Sequence, residues 1–267
     1  MHIVVCINHI PDPEAPAKQF KLDEQTNKPL LQRVNRVIGP FDENALETGL
    51  QLKDSVGAKV TALSVGPATN IEALRRALAT RADAAVQVKE AGATELDSAG
   101  VARLLSAAIR KLGDVALVLC GRQVGDWDSG QVGQLVAEEL GLPCVTLAWQ
   151  IQLAGDGVVR VEKEIPGGIA LVEAELPAVV TVTNAPSNQL RIPKVKDVMA
   201  AHRAPITTWS AADLGLDMAG LADGARVQVR RMLIPESQVQ VELIQGETDE
   251  EVAETLAKRI LGLKVLQ

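Results

Sequence analysis

The stretch Asp114-Val-Ala-Leu-Val-Leu-Cys120 is apolar almost throughout, and it runs directly into the glycine-rich segment Gly121-Arg-Gln-Val-Gly-Asp-Trp-Asp-Ser-Gly-Gln-Val-Gly133. A strand that is apolar along its whole length has no face to offer water, so it belongs in a sheet covered on both sides. The same order recurs along the first two-thirds of the chain. Short apolar runs at Ile3 to Ile7, Lys59 to Val65 and Ala84 to Val88 alternate with helical spacing at Asp42 to Asp54, Asn70 to Arg81, Asp97 to Leu112 and Ser129 to Leu140. Strands that alternate with helices of this length predict an α/β fold: a mostly parallel, Rossmann-like sheet with helices on both faces.

After Gly141 the period changes. Thr146 to Leu153 and Val158 to Ile165 alternate every second residue around Gly155-Asp156-Gly157, the pattern of a β-hairpin. Leu171 to Glu175 and Ala178 to Thr183 continue the strand character. Beyond Asn184 the composition loosens. Residues 1–190 are expected to form the nucleotide-binding domain. Residues 191–267 are expected to form an extension that packs on a partner, with a helix near Val195 to His202, a strand at Val227 to Ile234 and a helix at Asp249 to Leu261.

In a parallel sheet, ligands collect beyond the carboxyl ends of the strands, near a switch in strand order. That singles out the loops at 8–41, 66–70 and 121–130. In the last of these, glycines allow a ligand to approach the backbone, and Asp128 and Ser129 are candidate N-caps for a helix whose first amides attract phosphate. Asp126 and Asp128 would repel that phosphate and instead suit the turn itself, a ribose or an adenine. The residues alone leave two readings open, a nucleotide loop and a plain strand-to-helix turn. Ser64 to Thr69 is a second such turn. Gly39-Pro40-Phe41-Asp42 is a third, in which Asp42 is expected to cap a helix and Phe41 to touch either a flat ring or only the loop.

Several classes are excluded. A net charge of -7 argues against nucleic acid, and an aromatic content of 2% with no Tyr removes a base-stacking platform. No apolar run reaches the roughly 18 residues of a membrane span, and the acidic start is unlike a signal peptide. Three histidines, at 2, 9 and 202, do not make a metal site. Cys6, Cys120 and Cys144 read as reduced core residues, consistent with a cytoplasmic location. Neither GxxxxGK[ST] nor a nucleophile elbow is present, so no catalytic residue is assigned. An ATP-using or nucleotide-sensing α/β protein is the alternative class, with only Asp126 and Asp128 to offer for Mg²⁺.

Taken together, VVCINHIPD at 4–12, PFDENALE at 40–47, ALSVGPA at 62–68, the loop at 121–133, VEKEIPGG with ELPAVVTV at 161–182, RRMLIPE at 230–236 and the segment at 244–260 resemble the beta subunit of the electron transfer flavoprotein family. The resemblance implies a heterodimer with an alpha subunit that carries most of one FAD. Its donors would be flavin dehydrogenases and its acceptor a quinone reductase or ferredoxin-type protein. The beta subunit would hold AMP, or a second FAD in the electron-bifurcating branch. Carried over residue by residue, Cys6, Gly39, Pro40, Phe41, Asp42, Val65, Gly66, Gly121, Arg122, Gln123, Val124, Gly125, Asp126, Trp127, Asp128, Ser129, Gly130, Gln131 and Val132 would line that site, with Phe41 towards the alpha-bound flavin. Ile192, in the loop at 187–194, would anchor partner dehydrogenases, and Glu164 would pair with the moving domain of the alpha subunit. The chain departs from the family pattern at Asn8 and Pro13, where larger residues are usual, and at Pro166 and Ala170.

Overall fold

A computed structural model describes residues 1–23, 25–26, 28–31, 33–155, 157–234 and 241–263. By contact the chain divides into Met1–Met232 and Leu233–Gln267. The division expected at residue 190 concerns which part meets a partner subunit and is taken up under Proposed function.

The first unit is built on one nine-stranded sheet. Its strands are β1 (His2–Cys6), β2 (Lys59–Gly66), β3 (Ala84–Lys89), β4 (Leu117–Gly121), β5 (Cys144–Leu153), β6 (Val158–Ile165), β7 (Gly168–Glu175), β8 (Ala178–Val182) and β9 (Thr207–Trp209). They lie in the order β7-β6-β5-β8-β4-β1-β2-β3-β9. The six strands from β8 to β9 pair in parallel, as does β5 with β8. The expected hairpin is present as the antiparallel pair β5 and β6, and β7 folds back antiparallel on β6. Asp156 of the hairpin turn, and Pro235 and Glu236 of the segment at 230–236, lie outside the described residues.

Alternation along the strands divides the core. Ile3 and Val5 of β1, with Leu117 and Leu119 of β4, pack under α1 (Pro40–Val56) and α2 (Ile71–Ala79). Val4, Cys6, Val118 and Cys120 point the other way, against α3 (Ser98–Leu112) and α4 (Val132–Leu140). α1 opens with Pro at its first position and ends on Gly57 at φ 69, the left-handed cap that glycine adopts without strain. α5 (Val195–Arg203) and the short α6 (Met218–Asp223) complete this unit.

The second unit contains α7 (Asp249–Gly262). Thr248 caps it by accepting the Glu251 N–H, and Asp249, Glu250 and Glu251 fill its first turn, where the helix dipole favours negative charge. No residue of α7 is buried; Leu256, Ile260 and Leu261 are exposed.

Two expectations are corrected, and one element was not anticipated. Val227 to Ile234 forms no strand. Cys144 is exposed, whereas Cys6 and Cys120 are buried as expected, and all three are free thiols. The edge strand β9 was not foreseen, because three residues are too few to show a period. No helix among the described residues is long and apolar enough to cross a membrane.

Candidate functional site

The chain moves from β1 to β2 and β3 on one side, then returns to place β4 on the other side of β1. The strand order therefore switches between β1 and β4, and the crevice at their carboxyl ends is where such sheets take ligands. Cys6 ends β1, Val65 and Gly66 end β2, and Gly121 ends β4, so three separate sequence segments meet at one edge.

Asp42 bridges this switch. It does not cap α1, which begins two residues earlier after Gly39 with no side-chain cap. Its carboxylate instead accepts the Asn8 N–H at 2.8 Å through Oδ2 and the Gly121 N–H at 3.2 Å through Oδ1, tying the ends of both strands to the first turn of α1. Burial pushes its pKa up to about 7, against the pull of those two amides. The approach is close enough to require glycine at 121: a Cβ there would lie 2.5 Å from Asp42 Oδ1 and 2.8 Å from the Phe41 carbonyl carbon. Beside it, the neighbouring Cys6 thiol and burial together raise the Cys120 thiol well above its ordinary range.

The loop 122–131 remains open longer than expected. α4 starts at Val132, not Ser129, because Asp128 at φ 50 and Gly130 at φ 60 are left-handed and cannot sit in a helix. Asp128 and Ser129 are therefore not N-caps. Asp128 Oδ1 accepts from Gln123 Nε2 at 2.9 Å, and Ser129 Oγ lies 3.2 Å from Ser98 Oγ of α3. Gln131 precedes α4 without a side-chain cap, so the first amides of the helix have no side-chain acceptor. Pro13, Ile10 and Pro40 close over Gly125, where a Cβ would meet all three within 4 Å. Trp127 is 53% exposed. Val124 and Asp126 complete the loop, Val124 through its carbonyl, which takes the Asp128 N–H at 2.9 Å.

Arg122 connects features that appear unrelated in the sequence. Its guanidinium stacks 4.5 Å over the Phe41 ring, and its Nη1 donates to Thr183 Oγ1 at 3.2 Å. Thr183 Oγ1 in turn donates to Glu164 Oε2 at 3.2 Å. Phe41 at the sheet edge and Glu164 on the β6 hairpin are thus ends of one chain of contacts. Ile192 lies apart, in the loop before α5. Thr183 was missed, as no motif marks it, and Asn8 was noted only as a departure from the family pattern, not as a partner of Asp42. Residue type makes Thr69 or Asn70 a plausible N-cap of α2, but Asn70 donates to Ser64 Oγ and the Val65 carbonyl, caps nothing with its side chain, and has its Oδ1 buried and unpartnered.

The residues at the strand ends could accept an anionic, polar ligand. The uncapped start of α4 suits a phosphate. The buried, unpartnered Arg122 Nε and Asn70 Oδ1 are polar atoms without protein partners near the strand ends. Among the described residues no cluster of three His, Cys, Asp or Glu could hold a metal.

A doubly wound, mostly parallel sheet with helices on both faces defines an α/β protein of the Rossmann-like kind. Within that class the chain belongs to the electron transfer flavoprotein family, whose electron transfer flavoprotein domain matches residues 30–214. It is 31% identical to the electron transfer flavoprotein subunit beta of Megasphaera elsdenii across the whole of both chains. To the subunit beta of Clostridium acetobutylicum it is 32% identical over 97% of each. Identity to subunit CarD of the caffeyl-CoA reductase-Etf complex of Acetobacterium woodii is 33%, over 97% of this chain and 98% of that one.

Proposed function

We propose that this chain is the beta subunit of a heterodimeric electron transfer flavoprotein, an electron-carrier subunit without substrate chemistry of its own. It binds an adenine nucleotide at the carboxyl ends of β1, β2 and β4, braces an FAD-carrying alpha subunit and docks flavin dehydrogenases. The observation that carries this reading is the uncapped start of α4 beside the Asp42-bridged switch point, in a chain that aligns from end to end with beta subunits. FAD supplies the reversible uptake and release of electrons. The role of this chain is to orient and to exclude water: Phe41, held under Arg122, faces the flavin, and Glu164 and Ile192 meet partners. The extension from residue 191 packs on the alpha subunit. The exposed Leu243, Leu256, Ile260 and Leu261 near and along α7 favour this, since such side chains bury against something in a stable assembly.

The nucleotide is AMP. Pro13, Ile10 and Pro40 packed on Gly125 leave little room for a second isoalloxazine beside the first loop. A second reading, FAD in an electron-bifurcating complex, is favoured by Ser129, Gln131 and Val132, which match that branch of the family. The test is to denature the purified heterodimer and quantify flavin and AMP in one supernatant. One FAD and one AMP per heterodimer is expected. Two FAD without AMP overturns the choice of nucleotide, and neither AMP nor a second FAD removes the nucleotide role of residues 121–132.

A further inference from the structure

Asn44, Glu47, Gln51 and Asp54 fall on one face of α1 at helical spacing, and all four reach the segment that precedes α5. Asn44 Nδ2 donates to the Asn188 carbonyl at 3.0 Å and Gln51 Nε2 to the Ser187 carbonyl at 2.6 Å. Glu47 is buried and holds Arg191 three times over: Oε2 accepts the backbone N–H at 3.0 Å and Nε at 2.9 Å, and Oε1 accepts Nη2 at 2.8 Å. Asp54 Oδ2 takes Nη1 at 2.8 Å. From within the loop, buried Asn188 accepts the Ala185 N–H at 2.8 Å and donates to the Thr183 carbonyl at 2.9 Å.

The residue after Arg191 is Ile192, 92% exposed, and Pro193 follows it. The backbone before Ile192 is therefore tied on both sides, and the proline ring restricts the backbone after it. A side chain that would otherwise wander is presented to solvent in one place. Ordering a loop on binding lowers affinity, and a loop already ordered by its own protein avoids that loss. Arginine suits the task because its planar fork can meet two carboxylates at once, which a lysine ammonium on a flexible stem does poorly.

We propose that Glu47, Arg191 and Asp54 form a clamp whose role is to position Ile192 for capture by a partner flavin dehydrogenase. The proposal rests on the docking reading above and adds three positioning residues to it. None of them touches the flavin or the nucleotide loop.

The test uses the heterodimer and an acyl-CoA-oxidising flavin dehydrogenase chosen because it reduces the wild-type heterodimer. Glu47→Gln leaves Arg191 paired with Asp54, and Arg191→Lys keeps the cation but gives up the fork, so neither variant strands a buried charge. Each is expected to raise the KM for the heterodimer about five- to tenfold with kcat unchanged at saturation, and to speed amide hydrogen exchange over residues 187–192. Ile192→Glu raises the KM further, and adding Glu47→Gln to it changes nothing more, because the anchor to be positioned is gone. If Ile192→Glu raises the KM and both clamp variants leave it unchanged, the clamp is wrong and the docking reading stands. If Ile192→Glu leaves the KM unchanged, the docking reading fails and the clamp falls with it. Unaltered exchange at 187–192 in both clamp variants, or a loss confined to kcat, also overturns the proposal.

Discussion

Replacing Gly133 with alanine tests how tightly the helix after the loop at 122–131 is seated on the sheet. Gly133 is buried in the first turn of α4, facing β8, and an ideal Cβ there would lie 2.4 Å from Thr181 Cγ2. Thr181 cannot turn away freely. It is buried, and its Oγ1 accepts the Leu147 N–H at 3.1 Å, where Leu147 is held at φ 60. Rotating Thr181 would strand that amide, at about 1–3 kcal/mol. Alanine gains about 1 kcal/mol over glycine in helix propensity, but a 2.4 Å approach to a fixed neighbour puts overpacking in the upper part of its range, about 2–3 kcal/mol, so Gly133→Ala is expected to destabilise by about 1–2 kcal/mol. Thr181→Ser removes only the offending methyl and keeps the hydroxyl, at about 1 kcal/mol for the void. In the double variant the new Cβ occupies that void, and the two changes should couple favourably by about 1–2 kcal/mol. Urea unfolding midpoints at constant slope give all four corners of the cycle. A Gly133→Ala protein as stable as wild type, or two effects that simply add, would refute the close approach of α4 to β8.

Three further outcomes are expected. Because the Asp42 pKa is raised to about 7, the folded protein holds a proton that the unfolded chain releases near the ordinary carboxylate value; stability therefore falls as pH rises from about 4 to about 7 and levels off above, at up to about 1.4 kcal/mol per pH unit. Asp42→Asn should flatten that slope in unfolding midpoints measured from pH 5 to 8, and parallel profiles would contradict it. Gly121→Ala, whose Cβ would press on backbone atoms of Phe41 and Asp42, should destabilise by about 2 kcal/mol or more and lower the nucleotide content of the purified heterodimer; full nucleotide occupancy would count against the site. Thr183→Val breaks the contacts from Arg122 and to Glu164 and should cost about 1 kcal/mol in urea unfolding, while a neutral result would mean that these bonds carry no load.

How far the structure was legible depended on whether a residue acts locally or across the sheet. The alternation of strands and helices survives because burial on both faces writes itself into consecutive residues, as in Leu117 to Cys120. The loops at 8–41, 66–70 and 121–130 were singled out together by a topological rule, and β1, β2 and β4 do end side by side. Local capping preferences misled in three places. Asp42, Asn70 and Ser129 are good caps by residue type, yet Asp42 is engaged by the distant amides of Asn8 and Gly121, Ser129 by the distant hydroxyl of Ser98, and Asn70 by the end of the strand before its own helix, at Ser64 and Val65. Thr183 and Glu47 were invisible for the same reason, since their partners lie on other elements and no spacing records them. Val227 to Ile234 read as a strand because its apolar residues alternate, but β-character without a neighbouring edge to pair with makes no strand.

α1 gives these long-range contacts a common frame. Its first turn carries Phe41, stacked under Arg122, and Asp42, which ties the ends of β1 and β4. Its outer face carries Glu47 and Asp54, which fix Arg191 beside Ile192. The helix has 17 residues and so spans about 25 Å, and Ala45, Leu46 and Leu50 anchor it in the sheet core. On the docking role proposed for Ile192, a captured partner would be referenced, through one buried helix, to the edge at which Phe41 stands. The second line of contacts, from Phe41 through Arg122 and Thr183 to Glu164, reaches the hairpin from that same edge. Electron transfer demands close and reproducible spacing between cofactors, and a protein without acid or base machinery can supply it only through rigidity. The buried carboxylates of Asp42 and Glu47, costly where they stand, meet that demand because each holds backbone from two other parts of the chain or a loop to the one helix that both sites share.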